Sequence, residues 1–198
     1  MSDLLLNIAQ KPSARRMIKR LRLPIPMPQK IRRADGAWLE RPLNDQRILL
    51  APASPALGES VARILASAGA NVVSQESAGD DAVHGVVLDA TDVRGPAGLR
   101  VLYESLHPWM RRIHRCGRLV VLGRPVTEAP TATEAATRAA LLGFVKSCSR
   151  ELGRTGSTAQ LITLSDGADE RLEPVLRYLL SDRSSFVSGQ SYAIDGQA

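Results

Sequence analysis

From Arg47 onward the chain alternates between two hydrophobic patterns. Ile48-Leu49-Leu50-Ala51, Gly85-Val86-Val87-Leu88, Leu119-Val120-Val121-Leu122 and Leu161-Ile162-Thr163-Leu164 are short continuous apolar runs. That is the pattern of strands buried on both faces. Val72-Val73 reads as a further strand, and Tyr192-Ala193-Ile194 as a final edge strand. Between the runs, apolar residues recur at helical spacing. Leu57, Val61, Ile64, Leu65 and Ala68 mark one helix, with Gly69 at its C′ position. Leu102, Leu106, Trp109, Met110 and Ile113 mark a second, kinked or restarted at Pro108. Glu134 to Leu152 predicts a long Ala-rich helix. Leu172 to Leu180 predicts another, with Pro174 in its first turn. Strands alternating with helices predict an α/β fold, a parallel sheet covered on both faces in three layers.

The first 46 residues follow a different pattern. Ser13 is placed to cap a short helix, Ala14 to Leu21, with Met17, Ile18 and Leu21 on one side and basic residues around the rest. Pro24, Pro26 and Pro28 forbid helix and favour an extended run, and Asp35-Gly36 marks a turn. The expected organisation is a basic arm, 1–46, and an α/β domain, 47–198. Charge follows the same division. The arm carries ten Lys and Arg against four Asp and Glu; the remainder carries sixteen of each. The arm's basic face lacks interleaved aromatics or a groove-reading motif, so nucleic acid is not the expected partner.

Composition narrows the classes further. At 44% hydrophobic and 23% charged the chain is ordinary globular material. Aromatics are only 4%, so Ala, Leu, Val and Ile must fill the core. No apolar run approaches the roughly 20 residues of a membrane span. Met1-Ser2-Asp3-Leu4 lacks the features of a signal peptide, so a cytoplasmic protein is expected. Cys116 and Cys148 match no metal-ligand spacing and read as buried thiols. His84, His107 and His114 likewise give no metal site.

Three segments in order resemble the short-chain dehydrogenase/reductases. RILLAPASPALGESVARILASAGANVV, Arg47 to Val73, has the layout of that family's opening βαβ unit. Gly117 to Gly153 holds GRLVVLG and ATRAALLGFVKSCSRELG, which resemble its catalytic strand and helix. FVSGQSYAIDG, Phe186 to Gly196, resembles its closing segment. The resemblance implies a Rossmann-like fold and, in the parent family, NADPH or NADH as cofactor.

The departures from the family pattern bear on function. The family's glycine-rich turn lets a pyrophosphate approach the backbone at a helix N-terminus. Here the turn reads Ala51-Pro52-Ala53-Ser54-Pro55-Ala56-Leu57-Gly58, and only Gly58 is kept. Pro52 and Pro55 each remove an N–H donor, and Ala56 adds a Cβ where the phosphate would lie. The family's tyrosine and lysine positions fall on Glu134 and Arg138, and its serine position at or near Gly123-Arg124. An ionised carboxylate has no proton to give, and a guanidinium with a pKa above about 12 relays none. Glu134 and Arg138 are expected instead as an i,i+4 surface pair. The span between Val73 and Val86 has no room for the strand and helix that the enzymes carry there. Its loss implies a flavodoxin-like strand order, 2-1-3-4-5, with an extra edge strand after it.

No catalytic, cofactor-binding or metal-binding residue is therefore expected in this chain. Asp89 and Asp92 are expected to shape a turn at the rim, and Asp166, Asp169 and Glu170 to complement a helix dipole. The set of losses resembles the degenerate N-terminal domain of high-molecular-weight 3-oxoacyl-acyl-carrier-protein reductases. LRLPIPMPQKIRR resembles the stretch leading into that domain. The implied role is structural, in dimerisation or partner binding, without a cofactor. The implied partners are a second copy, a reductase catalytic domain or acyl carrier protein. The helices at 99–115 and 134–152 would form the dimer surface, where Ala135, Ala136, Ala139 and Ala140 permit close approach. Two other readings stay open: a reductase with an unorthodox cofactor site, and a binding module acting through the basic arm.

Overall fold

The computed structural model of the protein describes residues 12–21, 31–51 and 55–196. The chain forms two compact units, Met1–Lys30 and Ile31–Ala198. In the first, helix α1 spans Pro12–Arg20. It begins one residue before the expected cap, so Ser13 lies inside its first turn; proline, with its fixed φ and missing N–H, is favoured at a first helical position. Met17 and Leu21 are exposed. Pro24, Pro26 and Pro28 lie outside the described residues.

The second unit runs β1 (Arg47–Ala51), α2 (Pro55–Ser67), β2 (Asn71–Val73), α3 (Gln75–Ala78), β3 (Val83–Asp89), α4 (Pro96–Leu106), β4 (Ile113–Gly123), α5 (Ala132–Leu152), β5 (Thr158–Leu164), α6 (Leu172–Leu180) and β6 (Ser191–Ile194). The six strands form one sheet in the order β2-β1-β3-β4-β5-β6. Every pairing is parallel. This is the order expected from the missing βα unit, with β6 as the added edge. The link between β2 and β3, residues 74–82, holds only the four-residue helix α3. A reciprocal cap closes it: Ser77 N donates to Ser74 Oγ at 3.1 Å and Ser74 N to Ser77 Oγ at 2.8 Å.

Alternating strand residues feed two cores. Leu49, Val86, Leu88, Leu119 and Val121 pack with Leu102 and Leu106 of α4 and Leu141, Val145 and Leu152 of α5. Ile48, Val87, Val120, Leu122 and Ile162 pack with Val61 and Leu65 of α2 and Leu176 and Leu179 of α6. Each fully buried Leu, Ile or Val contributes about 1.5–3 kcal/mol. Gly69 follows α2 with φ +95°, and a Cβ there would approach Asn44 Cα to 3.1 Å. A glycine is therefore required on both conformational and packing grounds. No helix among the described residues is long and apolar enough to cross a membrane.

Three local expectations change. The helix at 99–115 ends at Leu106; a 3-10 turn, His107–Trp109, follows, and Ile113 opens β4. Pro108 cannot donate to continue an α-helix, and the apolar phase across it mimics helical spacing by coincidence. β4 also begins well before Leu119. Its pairing with β3 shifts register between Val83 and Gly85, and Cys116 takes φ +58°. Cys116 is half-buried rather than buried, whereas Cys148 is buried. Finally, residues 31–46 belong to the same compact unit as the α/β domain. Leu43 is fully buried in the α2–α6 core, and its N–H donates to Ala68 O at 3.0 Å. We call residues 31–46 the strap.

Candidate functional site

Because every strand is parallel, all six C-terminal ends reach one rim, where folds of this architecture place ligands. The phosphate turn begins there. Pro52, Ala53 and Ser54 lie outside the described residues; Pro55 opens α2, and Gly58 lies in it.

The catalytic positions implied by the resemblance converge on the end of β4. Thr131 caps α5, its Oγ1 accepting from Glu134 N at 3.2 Å. One turn later, Arg138 Nη2 lies 3.4 Å from Glu134 Oε2. Arg138 Nη1 donates to Pro125 O at 2.8 Å. The two side chains are only 12% and 15% exposed, so this is a sheltered pair rather than the surface pair expected. The cause is the 3-10 turn Val126–Glu128, which folds back over the first turns of α5. Arg124 is fixed in the same way: Nη1 donates to Leu164 O at 3.1 Å and lies 3.2 Å from Asp166 Oδ1. Ser165 Oγ donates to Glu128 Oε1 at 2.5 Å. These polar groups brace the connections after β4 and β5 to one another.

Asp89 ends β3 and is buried. Its Oδ1 accepts from Thr91 N at 2.9 Å and Thr91 Oγ1 at 2.6 Å, which shapes the turn. Beside it lies a cavity of about 240 Å³ between the end of β3 and α4, lined by Leu88, Asp92, Val93, Val101 and Leu102. Carboxylates dominate the connections that leave the strands: Asp89, Asp92, Glu128, Asp166, Asp169, Glu170 and Asp195 against Arg94, Arg124 and Arg171. A diphosphate would meet a field of its own sign here. Asp169 and Glu170 lie in the 3-10 turn that leads into α6.

The opposite end of the sheet, toward the starts of the central strands β3 and β4, holds what sequence reasoning missed. Arg118 is 2% exposed and donates to Ser181 O, Cys116 O, Gly117 O, Asp182 Oδ1 and Ser185 Oγ, at 2.8–3.1 Å. Burial pulls its pKa down, and Asp182 opposes that shift. The signal was a lone cation within the apolar run GRLVVLG. His84 and His114, distant in sequence, bring their ring centroids to 4.5 Å. His84 Nδ1 accepts from Arg47 N at 3.1 Å. Among the described residues no group of three His, Cys, Asp or Glu side chains is placed to hold a metal. Cys148 faces a groove of about 470 Å³ between α4 and α5, and burial pushes its thiol up to about 11.

No protein-family model matches the chain, and no curated protein matches it. Among solved structures it is similar to a short-chain dehydrogenase/reductase from Serratia marcescens, at 19% identity and TM-score 0.63. The match covers 78% of this chain and 98% of that one. It is also similar to a blue fluorescent protein from a metagenomic library, solved in complex with NADPH, at 17% identity and TM-score 0.65 over the same shares of the two chains. The α/β domain thus has the fold of the short-chain dehydrogenases/reductases.

Proposed function

We propose that this chain is a non-catalytic Rossmann-like domain, related to the 3-oxoacyl-acyl-carrier-protein reductases, that serves assembly and partner binding rather than turnover. The observation that carries this reading is the engagement of Arg138. At the positions where a reductase needs a tyrosine and a lysine, Glu134 and Arg138 are sheltered, paired to each other and tied to Pro125 O. A guanidinium held in that way neither relays a proton nor lowers the pKa of a neighbouring acid on demand. The acidic rim and the two prolines of the turn oppose a bound diphosphate.

The partner expected first is a second copy, met through α4 and α5. Val101 and Tyr103 of α4 are exposed. So are the small residues Ala136, Ala139, Ala140 and Gly143 of α5. A reductase catalytic domain and acyl carrier protein are the further partners this relationship suggests.

Calorimetric titration with NADPH and with NADH tests the reading. No binding at submillimolar cofactor is expected. Saturable submillimolar binding with turnover of a 3-oxoacyl thioester would replace it with the alternative, a reductase with an unorthodox cofactor site.

A further inference from the structure

Between Asp3 and Asp35 the sequence holds nine Lys and Arg and no Asp or Glu. Six of the nine, Lys11, Arg15, Arg16, Lys19, Arg20 and Arg22, lie in or beside α1. Opposite charges four apart stabilise a helix, and like charges at that spacing destabilise it. Here Arg16 and Arg20 are four apart, alike in sign and both exposed, and Arg15 with Lys19 repeats the spacing in the sequence. Met17 and Leu21 share another face, where Leu21 N donates to Met17 O at 2.9 Å, and their side chains are 61% and 60% exposed. A nine-residue helix is marginal in water by itself. It gains most from a surface that covers its apolar face and supplies negative charge.

We propose that α1 docks on an anionic membrane surface, with Met17 and Leu21 in the boundary between headgroups and acyl chains and its cations among the headgroups. A basic amphipathic helix with about four to eight Lys and Arg binds such a surface by apolar burial and electrostatic attraction together. The nine residues of α1 span about 14 Å, under half of a hydrocarbon core of roughly 30 Å, so the helix lies on the surface and does not cross it. Downstream, Arg32 of the strap is already engaged by Arg115 O at 3.2 Å and Asp182 at 3.9 Å. The six cations in and beside α1 therefore carry the attraction, and no acid in their own stretch of sequence opposes it.

The composition of the segment favours lipid over the other anionic partners. The first aromatic residue of the chain is Trp38, so nothing upstream can stack a base. A phosphate backbone also leaves the Met17 and Leu21 face in water. The groove of an acidic protein would read a helix through anchors on one face, and Trp, Tyr and Phe, which dominate such anchors, are missing. Beyond α1 the aliphatic and basic character continues in the sequence through Leu23, Ile25, Met27 and Lys30, spaced by prolines that a helix-binding groove cannot accept. A bilayer surface recognises charge and apolar area without requiring one fixed register.

Flotation of the full chain with lipid vesicles tests the proposal. Saturable co-flotation is expected with vesicles of phosphatidylcholine and phosphatidylglycerol at about 0.15 M salt, with release at about 1 M. Vesicles of phosphatidylcholine alone should carry none of the protein. Arg16→Gln with Arg20→Gln removes two charges and should weaken binding about thirtyfold, since each Lys or Arg near an anionic surface is worth about fivefold. Met17→Gln with Leu21→Gln keeps every charge and should weaken binding at least about tenfold through lost apolar burial. Both pairs lie in the Met1–Lys30 unit, so the melting temperature of the α/β domain should not move. The proposal is overturned by no co-flotation, by equal co-flotation with phosphatidylcholine alone, or by either double variant floating like the parent. Tighter binding of duplex DNA or of polyglutamate than of the vesicles would assign the helix to nucleic acid or to an acidic protein and would equally overturn it. Cofactor titration bears on the rim of the α/β domain and leaves this test untouched.

Discussion

Arg138 lies one helical turn from Glu134, 3.4 Å from its carboxylate, and uses its other terminal nitrogen on Pro125 O at 2.8 Å. The pair therefore fastens the turn after β4 to the start of α5, and its loss should register in stability. Arg138→Ala leaves both a sheltered carboxylate and a carbonyl without their partner. The expected cost is about 1–2 kcal/mol, in the range of charge-assisted hydrogen bonds. Glu134→Ala should cost less, because its backbone N–H keeps the Thr131 cap. The double replacement Glu134→Tyr with Arg138→Lys puts back the reductase pair but not the phosphate turn, and is expected to give no turnover with NADPH. Urea unfolding curves and a coupled reductase assay measure the two outcomes. Activity in the double variant would show that the turn at Pro52 had been misjudged.

How much of this was legible follows from which interactions are local. Strands such as Val86-Val87-Leu88 declared themselves, because a strand buried on both faces needs apolar residues on both. The strand order followed from chain length, since only four helical residues link β2 to β3. The identities of Glu134 and Arg138 were readable, but their shelter was not. It depends on where the turn at Val126–Glu128 folds, a matter of tertiary packing. Ile113 was placed on a helix because a spacing of three or four residues carries on across Pro108. Leu43, alone between Pro42 and Asn44, gave no periodicity from which its full burial could be read.

Arg118 is the residue the domain should tolerate losing least. It joins the left-handed kink at Cys116 to the turn after α6, and five acceptors depend on it. Arg118→Met keeps much of the volume but strands the Asp182 carboxylate and three carbonyls. A loss of about 3 kcal/mol is expected, as for removing one partner of a buried ion pair. For a chain of this length that lowers Tm by roughly 6–12 °C. Arg118→Lys should recover only part, since an ammonium cannot span the same fork. A melting temperature of Arg118→Met within a degree of the parent would mean that water replaces the network without cost.

His84 should make the domain acid-sensitive. Burial lowers its pKa first, and His114, Arg32 and Arg47 lower it further. The unfolded chain therefore takes up this proton near the ordinary value of 6.5, before the folded protein does. Stability from this group is full above that value and falls as pH drops below it, until the folded-state value is reached. Geometry gives the same sign, because a proton on Nδ1 ends its acceptance of the Arg47 N–H. His84→Gln offers a neutral acceptor and should flatten part of the loss between about pH 7 and about pH 5. Thermal melts of both proteins across that range decide it. Parallel pH profiles would remove His84 as the cause.

The assembly reading makes its sharpest prediction on α5. Leu141, Val145 and Cys148 point into the core. Ala136, Ala139, Ala140 and Gly143 lie on the exposed side of the same helix. A helix face of small residues brings a partner helix close, because interaxial distance is set by the side chains at the contact. Ala140→Arg would put a long charged side chain into that contact while leaving the monomer's own core untouched. Sedimentation equilibrium at micromolar concentration should then show a dimer for the parent chain and a monomer for Ala140→Arg, with an unchanged circular-dichroism spectrum. Lys146→Glu on the same helix serves as a charge control and should weaken association less. If Ala140→Arg stays dimeric, association runs through another surface. If the parent chain itself is monomeric, the exposure of Val101 and Tyr103 needs a different partner, and a separate reductase domain becomes the next to test.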